Sequence, residues 1–242
     1  MYFPSTHWSL LARATLDGHT EARSALEELC RRYWLPLRNF IRARGYSDSE
    51  AEDLTQGFLL HLLEHSALGR LDQSRGKFRS FLLGALANFL SHERERRLAQ
   101  KRGGQLAHVS VEVLDDQEGL ASPRLPENEE VEFDRTWALT VLRASLERVE
   151  RAYVEAGQDG LFAILRSFLP GGTPMPSYEK AAEEAGLSVA ALNSQVHRMR
   201  SQLREAVRAE VASTVSAPHE IDEEITYLYR LLMDRGTDFQ NS

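Results

Sequence analysis

The sequence has little of what stabilises secreted proteins or crosses membranes. Its 242 residues include one cysteine, Cys30, so no internal disulfide and no zinc site of several thiolates can form within the chain. The segment Met1–Thr6 has neither a basic stretch nor an apolar run of signal-peptide length. The longest largely apolar stretch, Phe81–Phe89, is too short to span a bilayer. These absences predict a cytoplasmic protein without membrane contact, with Cys30 packed on a helix.

The sequence also lacks the motifs of common enzymes. There is no glycine-rich phosphate loop, no nucleophile elbow and no H-E-x-x-H metal motif. His61 and His65 lie four residues apart, but they are expected on the solvated face of a helix rather than on a metal. We therefore predict no catalysis, no metal, no cofactor and no small-molecule substrate.

Apolar residues recur at intervals of three and four, which is typical of amphipathic helices. The composition, 42% hydrophobic and 27% charged, is that of a folded protein, and no stretch alternates long enough to predict a strand. We therefore predict an all-α fold. After a short opening helix capped by Thr6, the expected helices cover approximately residues 21–44, 47–64, 78–102, 137–168, 178–185, 188–211 and 220–233.

Charge is segregated along the chain, although the total is −7. Residues 70–102 contain nine Lys or Arg against three acids, a local charge of +6. Residues 112–134 contain nine acids and one Arg, a local charge of −8, together with two prolines. Because a partner senses local potential rather than the total, the basic segment predicts a DNA contact. The acidic one predicts a linker over residues 105–134.

The most informative pattern lies within residues 177–208. Ser177 caps a short helix, Gly186 follows it in a turn, Leu187 fills the corner and Ser188 caps a second helix, as a helix-turn-helix requires. The second helix is expected to bury Leu192, Val196, Met199 and Leu203. Its other face carries side chains that bind base edges and phosphates, namely Asn193, Ser194, His197, Arg198 and Ser201. The competing interpretation is the solvated face of an ordinary helical hairpin.

A second pattern starts at Asp48. Residues 52–56 place carboxylates and an amide on the exposed side of a helix, and Leu59, Leu60 and Leu63 widen its apolar stripe beyond the needs of one small core. This arrangement suits a helical protein partner. The helix after it is apolar and then basic, and it supplies aromatic rings and cations of the kind that hold an unpaired base, namely Phe78, Phe81, Phe89, Arg79 and Arg94. Such rings are equally typical of a core.

With these motifs the chain resembles the extracytoplasmic-function (ECF) sigma factors of the sigma-70 superfamily. Asp53-Leu54-Thr55-Gln56-Gly57-Phe58 is similar to the polymerase-binding segment, and Phe78-Arg79-Ser80-Phe81-Leu82 with Asn88 is similar to the promoter-melting segment. The resemblance covers residues 20–102 and 137–210. It departs from the family at His92, in residues 157–176 and in the tail from residue 218.

The resemblance implies a domain order and a set of contacts. Residues 1–104 would form a region 2-like bundle, 105–134 an acidic linker, 135–212 a region 4-like helix-turn-helix domain and 213–242 a C-terminal helical extension. Asp53, Gln56 and Leu60 would bind core RNA polymerase. Promoter DNA would be held by residues of both domains, namely Arg79, Asn88, Arg94, Arg96, Arg97, Lys101, Arg102, Asn193, Ser194, His197 and Arg198. An anti-sigma factor is a further candidate partner.

Two other functions are compatible with the same residues. One is a helix-turn-helix regulator that binds DNA without polymerase, and the other is an interaction protein that has lost DNA binding, which the acidic total would suit. The tail after Pro218 carries an apolar stripe and a cluster of acids. It is expected to pack on its own upstream domain, with a regulatory or oligomeric contact as the alternative. Its acids suggest the hypothesis of an autoinhibitory hold on a basic DNA-binding face.

Overall fold

A computed structural model describes residues 19–64, 78–101, 127–169, 176–215 and 217–233. All regular structure in these ranges is helical, which confirms the predicted all-α class. In chain order the helices are α1 (His19–Ala43), α2 (Asp48–Glu64), α3 (Phe78–Lys101), α4 (Glu127–Glu155), α5 (Asp159–Arg166), α6 (Tyr178–Glu184), α7 (Val189–Ala212) and α8 (Glu220–Met233). The predicted opening helix with its Thr6 cap, and residues 105–126 of the predicted linker, lie outside the described residues.

The turn between α1 and α2 follows its sequence signals. Gly45 has a φ of +89°, a left-handed conformation in which glycine is favoured, and its N–H donates to the carbonyl of Arg42 at 2.9 Å. Ser47 and Glu50 then form a reciprocal cap. The Ser47 N–H donates to the Glu50 carboxylate at 3.1 Å, and the Glu50 N–H donates to the Ser47 hydroxyl at 3.4 Å. The predicted start of the second helix is thus confirmed.

Helix α4 begins earlier than the sequence pattern indicated. Residues 127–134, expected in the linker, form its first two turns. Two contacts anchor this acidic segment: Glu129 pairs with Arg44 at 2.6 Å, and the buried ring of Phe133 packs edge-on against Phe40 at 6.0 Å. Acids near a helix N-terminus are also favoured by the helix dipole. The acid run did not predict a helix because the partners that hold it in place lie far away in the chain.

The chain divides into two compact units. The first unit contains residues Met1–Thr140 and Ala212–Ser242, and the second contains Val141–Val211. Helix α4 runs without interruption through the boundary. Helix α8 belongs to the first unit, so the segment expected as an extension completes the unit formed by the N-terminal part of the chain.

The core of the first unit is aromatic at its centre. Tyr33 stacks on Trp137 with ring centroids 4.7 Å apart and planes 2° apart, and Phe78 lies 5.3 Å from Tyr33. Such ring pairs add to the free energy gained by burial. The surrounding buried side chains come from all its helices and include Leu37, Ile41, Leu54, Phe58, Leu82, Leu86, Leu228 and Leu231.

The second unit has its own core. Phe168 and Tyr178 lie 4.6 Å apart, and the helix-turn-helix packs on residues of α4 and α5. The buried side chains of this core include Val149, Tyr153, Phe162, Leu165, Leu192, Val196 and Met199. Leu192, Val196 and Met199 are fully buried and Leu203 is partly buried, which confirms the predicted inner stripe of α7.

Candidate nucleic-acid and protein interfaces

The helix-turn-helix is built by two side-chain caps and one glycine. The Ser177 hydroxyl accepts from the Lys180 N–H, and the Ser188 hydroxyl accepts from the Ala191 N–H, both at 3.2 Å. Between them Gly186 has a φ of +64°. The caps supply acceptors for backbone N–H groups that have no partner inside their helix, and they fix where α6 and α7 begin. Each of these three roles was predicted from the sequence.

The outer face of α7 presents polar and cationic side chains to solvent. Asn193, Ser194, His197 and Arg198 are all exposed. The Ser194 hydroxyl donates to the Ala190 carbonyl at 3.0 Å. Arg198 also lies close enough to Tyr153 to lower the pKa of that phenol, although burial raises it more and leaves it above its ordinary value. The four residues predicted to read DNA thus share one accessible face.

A second exposed face lies on α2. Asp53, Gln56 and Leu60 follow one another at intervals of three and four and are exposed, with Leu60 at 49%. The opposite side of the helix is buried through Leu54 and Phe58. A half-exposed leucine beside polar groups is typical of a surface that binds another helix.

The basic half of α3 is also accessible. Arg94, Arg96 and Arg97 are exposed. Arg96 pairs with Glu93 at 3.0 Å, and Arg97 pairs with Glu50 of α2 at 3.1 Å. Exposed ion pairs of this kind are weak, so they leave the arginines able to bind phosphate. Arg102 and the side chain of Lys101 lie outside the described residues.

Arg79 is the predicted DNA-binding residue that the structure does not present to solvent. Its side chain is 3% exposed and lies between two carboxylates. Nε donates to Asp134 Oδ1 at 2.7 Å, Nη2 donates to Asp134 Oδ2 at 3.3 Å, and Nη1 donates to Glu224 Oε1. Burial lowers the pKa of Arg79, but the two carboxylates outweigh burial and raise it. In this conformation Arg79 is therefore an internal ion-pair partner, because burial and two acids keep phosphate away.

Other expected contacts of the melting segment are partly or wholly internal. Phe78 is a core residue, and Phe81 lies 6.1 Å from it and is half-buried. Asn88 is half-buried, and Phe89 packs against Phe58 at 5.7 Å and His61 at 5.5 Å. Of the two roles considered for these aromatic rings, Phe78 has the one in the core. His61 is half-buried, with one side of its ring beside Phe89 of α3.

The partners of Arg79 were not predicted from the sequence: they are Asp134, Glu224 and Tyr227, whose ring centroid lies 5.6 Å from Arg79 Cζ. The Tyr227 hydroxyl donates to Asp134 Oδ2 at 2.7 Å, and burial together with this bond raises the pKa of Tyr227 above its ordinary value. One signal was available. Glu224 falls on the same stripe of α8 as Ile221, Leu228 and Leu231, and a carboxylate on an apolar stripe predicts a buried cation.

No family model, curated protein or solved structure matches the chain. Within the described ranges no helix is both long and apolar enough to cross a membrane. The same ranges hold no group of three or more His, Cys, Asp or Glu side chains placed to bind a metal ion. The single thiol, Cys30, is half-buried, and burial raises its pKa.

Proposed function

We propose that the chain is a sigma-type transcription initiation factor of the ECF kind, with no catalysis of its own. It binds core RNA polymerase through its first unit and promoter DNA through both units. The observation that carries the proposal is the presence of two differently built exposed faces on separate units. One is the polar face of α7 in a doubly capped helix-turn-helix, and the other is the mixed face of α2.

The chemistry of the α7 face suits the major groove. Asn193 can bind adenine through its amide, and Arg198 can bind guanine or a phosphate. Ser194 and His197 add donors and acceptors on the same face. Because the inner stripe of α7 is fixed in the core, these side chains keep their spacing when a duplex approaches. This face would read the upstream promoter element.

The α2 face suits polymerase better than DNA. Asp53 is negatively charged and would repel phosphate, and Leu60 offers apolar area that DNA binding does not need. The basic half of α3, with Arg94, Arg96 and Arg97, supplies cations for the downstream element in the same unit. One unit therefore has separate surfaces for a protein partner and for nucleic acid. The resemblance adds an anti-sigma factor as a candidate partner and the cytoplasm as the location.

Binding to purified bacterial core RNA polymerase tests the proposal. The wild-type chain is expected to bind, and D53A, Q56A and L60A are expected to weaken binding because they remove the polar contacts and the apolar area of one face. The matched control is E130A, which removes an exposed carboxylate from α4 of the same unit. Equal binding by the α2 variants and E130A would contradict the assigned surface. No binding by the wild type would contradict the proposed function.

A helix-turn-helix regulator that acts without polymerase is the second candidate. The burial of Arg79 favours it, because a regulator has no need of a promoter-melting contact. The two candidates differ in one measurable way. A regulator would bind duplex DNA through α7 and leave core polymerase unbound.

A further inference from the structure

Helix α8 is attached to the first unit by polar as well as apolar contacts. Ile221, Leu228 and Leu231 are buried, and Glu224 is fully buried on the same stripe. Glu224 pairs with Arg79 of α3, while Tyr227 donates to Asp134 of α4. The Arg135 Nε also donates to the carbonyl of Leu231 at 3.1 Å. The docked helix thus covers Arg79, which is the only described arginine of α3 outside the basic half of that helix.

The docked state changes the charge that a phosphate would meet. Arg79 carries one positive charge, and Asp134 with Glu224 carries two negative charges, so the cluster has an excess of one negative charge. Tyr227 adds no charge, because a phenol is neutral at neutral pH and burial raises the pKa of this one further. On the outer side of α8, Asp222 and Glu223 are exposed and add two more acids. Without α8, Arg79 would face Asp134 alone and would be open on the side that α8 covers.

The contact is built for release rather than for maximum stability. Taking a carboxylate and a guanidinium out of water costs much of what their attraction returns, so apolar residues in place of the whole charged cluster would hold the helix at least as well. Helix α8 has 14 residues, and a helix of this length is only marginally stable in water alone. Undocking would therefore also unfold α8.

We propose that α8 is an autoinhibitory latch, in which Glu224 holds Arg79 away from promoter DNA until polymerase and promoter binding release the helix. The inference rests on the proposed function, since it regulates the DNA-binding surface of the first unit. It also assigns a specific contact to one of the acids near the start of the C-terminal helix, because Glu224 pairs with Arg79. Release uncovers one cation and removes three or more acids from the neighbourhood of the phosphates.

The substitution E224Q tests the latch, and E223Q is its matched control. Both remove one negative charge from adjacent positions of α8, but only Glu224 is buried on Arg79. The full-length chains are titrated with a labelled duplex of random sequence at several salt concentrations. E224Q is expected to bind more tightly, with a slope of log K against log salt that is steeper by about 0.9, as one additional bound phosphate would give. E223Q should keep the wild-type slope.

Hydrogen exchange of the α8 amides distinguishes a helix that is released on binding from one that stays docked as part of the core. A latch predicts that exchange in α8 accelerates when core polymerase and duplex are added to the wild type, and that E224Q exchanges fast beforehand. Unchanged slopes for E224Q, no DNA binding by E224Q, or α8 exchange that polymerase and DNA leave unaltered would each overturn the latch. Thermal unfolding of both variants confirms that the chains compared are folded. Failure of the wild type and E224Q to bind polymerase would instead overturn the proposed function.

Discussion

At the residue scale, Arg79 is a buried cation that is paired with two carboxylates. Replacing it by Ala leaves Asp134 and Glu224 buried without their cation. We expect R79A to lower the free energy of unfolding by about 3–5 kcal/mol, because an uncompensated buried charge is costly. Urea denaturation of the full chain measures it. R96A, at a 68% exposed side chain, is the control and should change stability by no more than about 0.5 kcal/mol. Equal decreases in stability would contradict the buried cluster.

The raised pKa of Tyr227 gives stability a dependence on alkaline pH. An unfolded tyrosine ionises near about pH 10, whereas in the folded chain burial and the bond to Asp134 keep the phenol protonated. The folded state then binds more protons than the unfolded state, so stability falls as pH rises above about pH 10. We expect Y227F to lose less stability than the wild type between about pH 9 and about pH 11. Y229F, on the exposed side of α8, should behave as the wild type, and parallel curves for all three would refute the expectation.

Individual residues were predictable where the signal is local. Ser177, Gly186 and Ser188 act within a few residues of their own positions, so the sequence spacing was sufficient. Arg79 was not predictable in the same way, since its partners lie 55 and 145 residues away. An arginine in a basic segment looks like a DNA contact until those partners are known. The α7 residues of the candidate site were predicted because amphipathic periodicity places them on the outside, whereas the α2 residues were assigned from the family resemblance.

At the scale of elements, α8 is an integral part of the first unit. Leu228 is 5% exposed and Tyr229 is 60% exposed, although they are neighbours in sequence. We expect L228A to lower the free energy of unfolding by about 2–5 kcal/mol through the cavity it leaves. Y229A should cost no more than about 0.5 kcal/mol. If both variants unfold like the wild type in urea, α8 is not packed as described.

Most of the helices were predicted, but residues 137–168, expected as one helical stretch, are divided between α4 and α5 near Gly157, whose φ is +68°. The end of α1, the starts of α2 and α7 and both ends of α6 follow caps and glycines that lie in the sequence. The start of α4 was misplaced because its first turns are polar and are held by Arg44 and Phe40, residues far away in the chain. Intrinsic helix propensity is weak beside such tertiary contacts.

At the scale of the whole molecule, the proposed DNA binding would act against a net charge of −7. We expect the slope of log K against log salt to fall in the triple variant R94Q/R96Q/R97Q by about 0.9 for each phosphate that the variant no longer binds. The control is R148Q/R151Q, which removes two exposed arginines from the part of α4 that belongs to the second unit. Equivalent slopes for the triple variant and the wild type would exclude the basic half of α3 from the DNA interface.

The division into two units was partly visible in the sequence. The charge reversal and the prolines of residues 112–134 indicated two domains, but the return of α8 to the first unit depends on contacts that no local pattern encodes. The autoinhibitory hypothesis came from the acids of residues 220–224. Only the structure shows that Glu224 is the buried acid among them.

The topology also has a consequence for synthesis. Domains usually fold in the order in which they leave the ribosome. Here residues 141–211 form a complete unit, while the first unit lacks α8 until residues 212–233 have been made. The helix-turn-helix therefore completes its core first, and the unit that begins the chain is the last to be finished. A chain that ends before residue 220 would contain all of the second unit, while its first unit would lack α8.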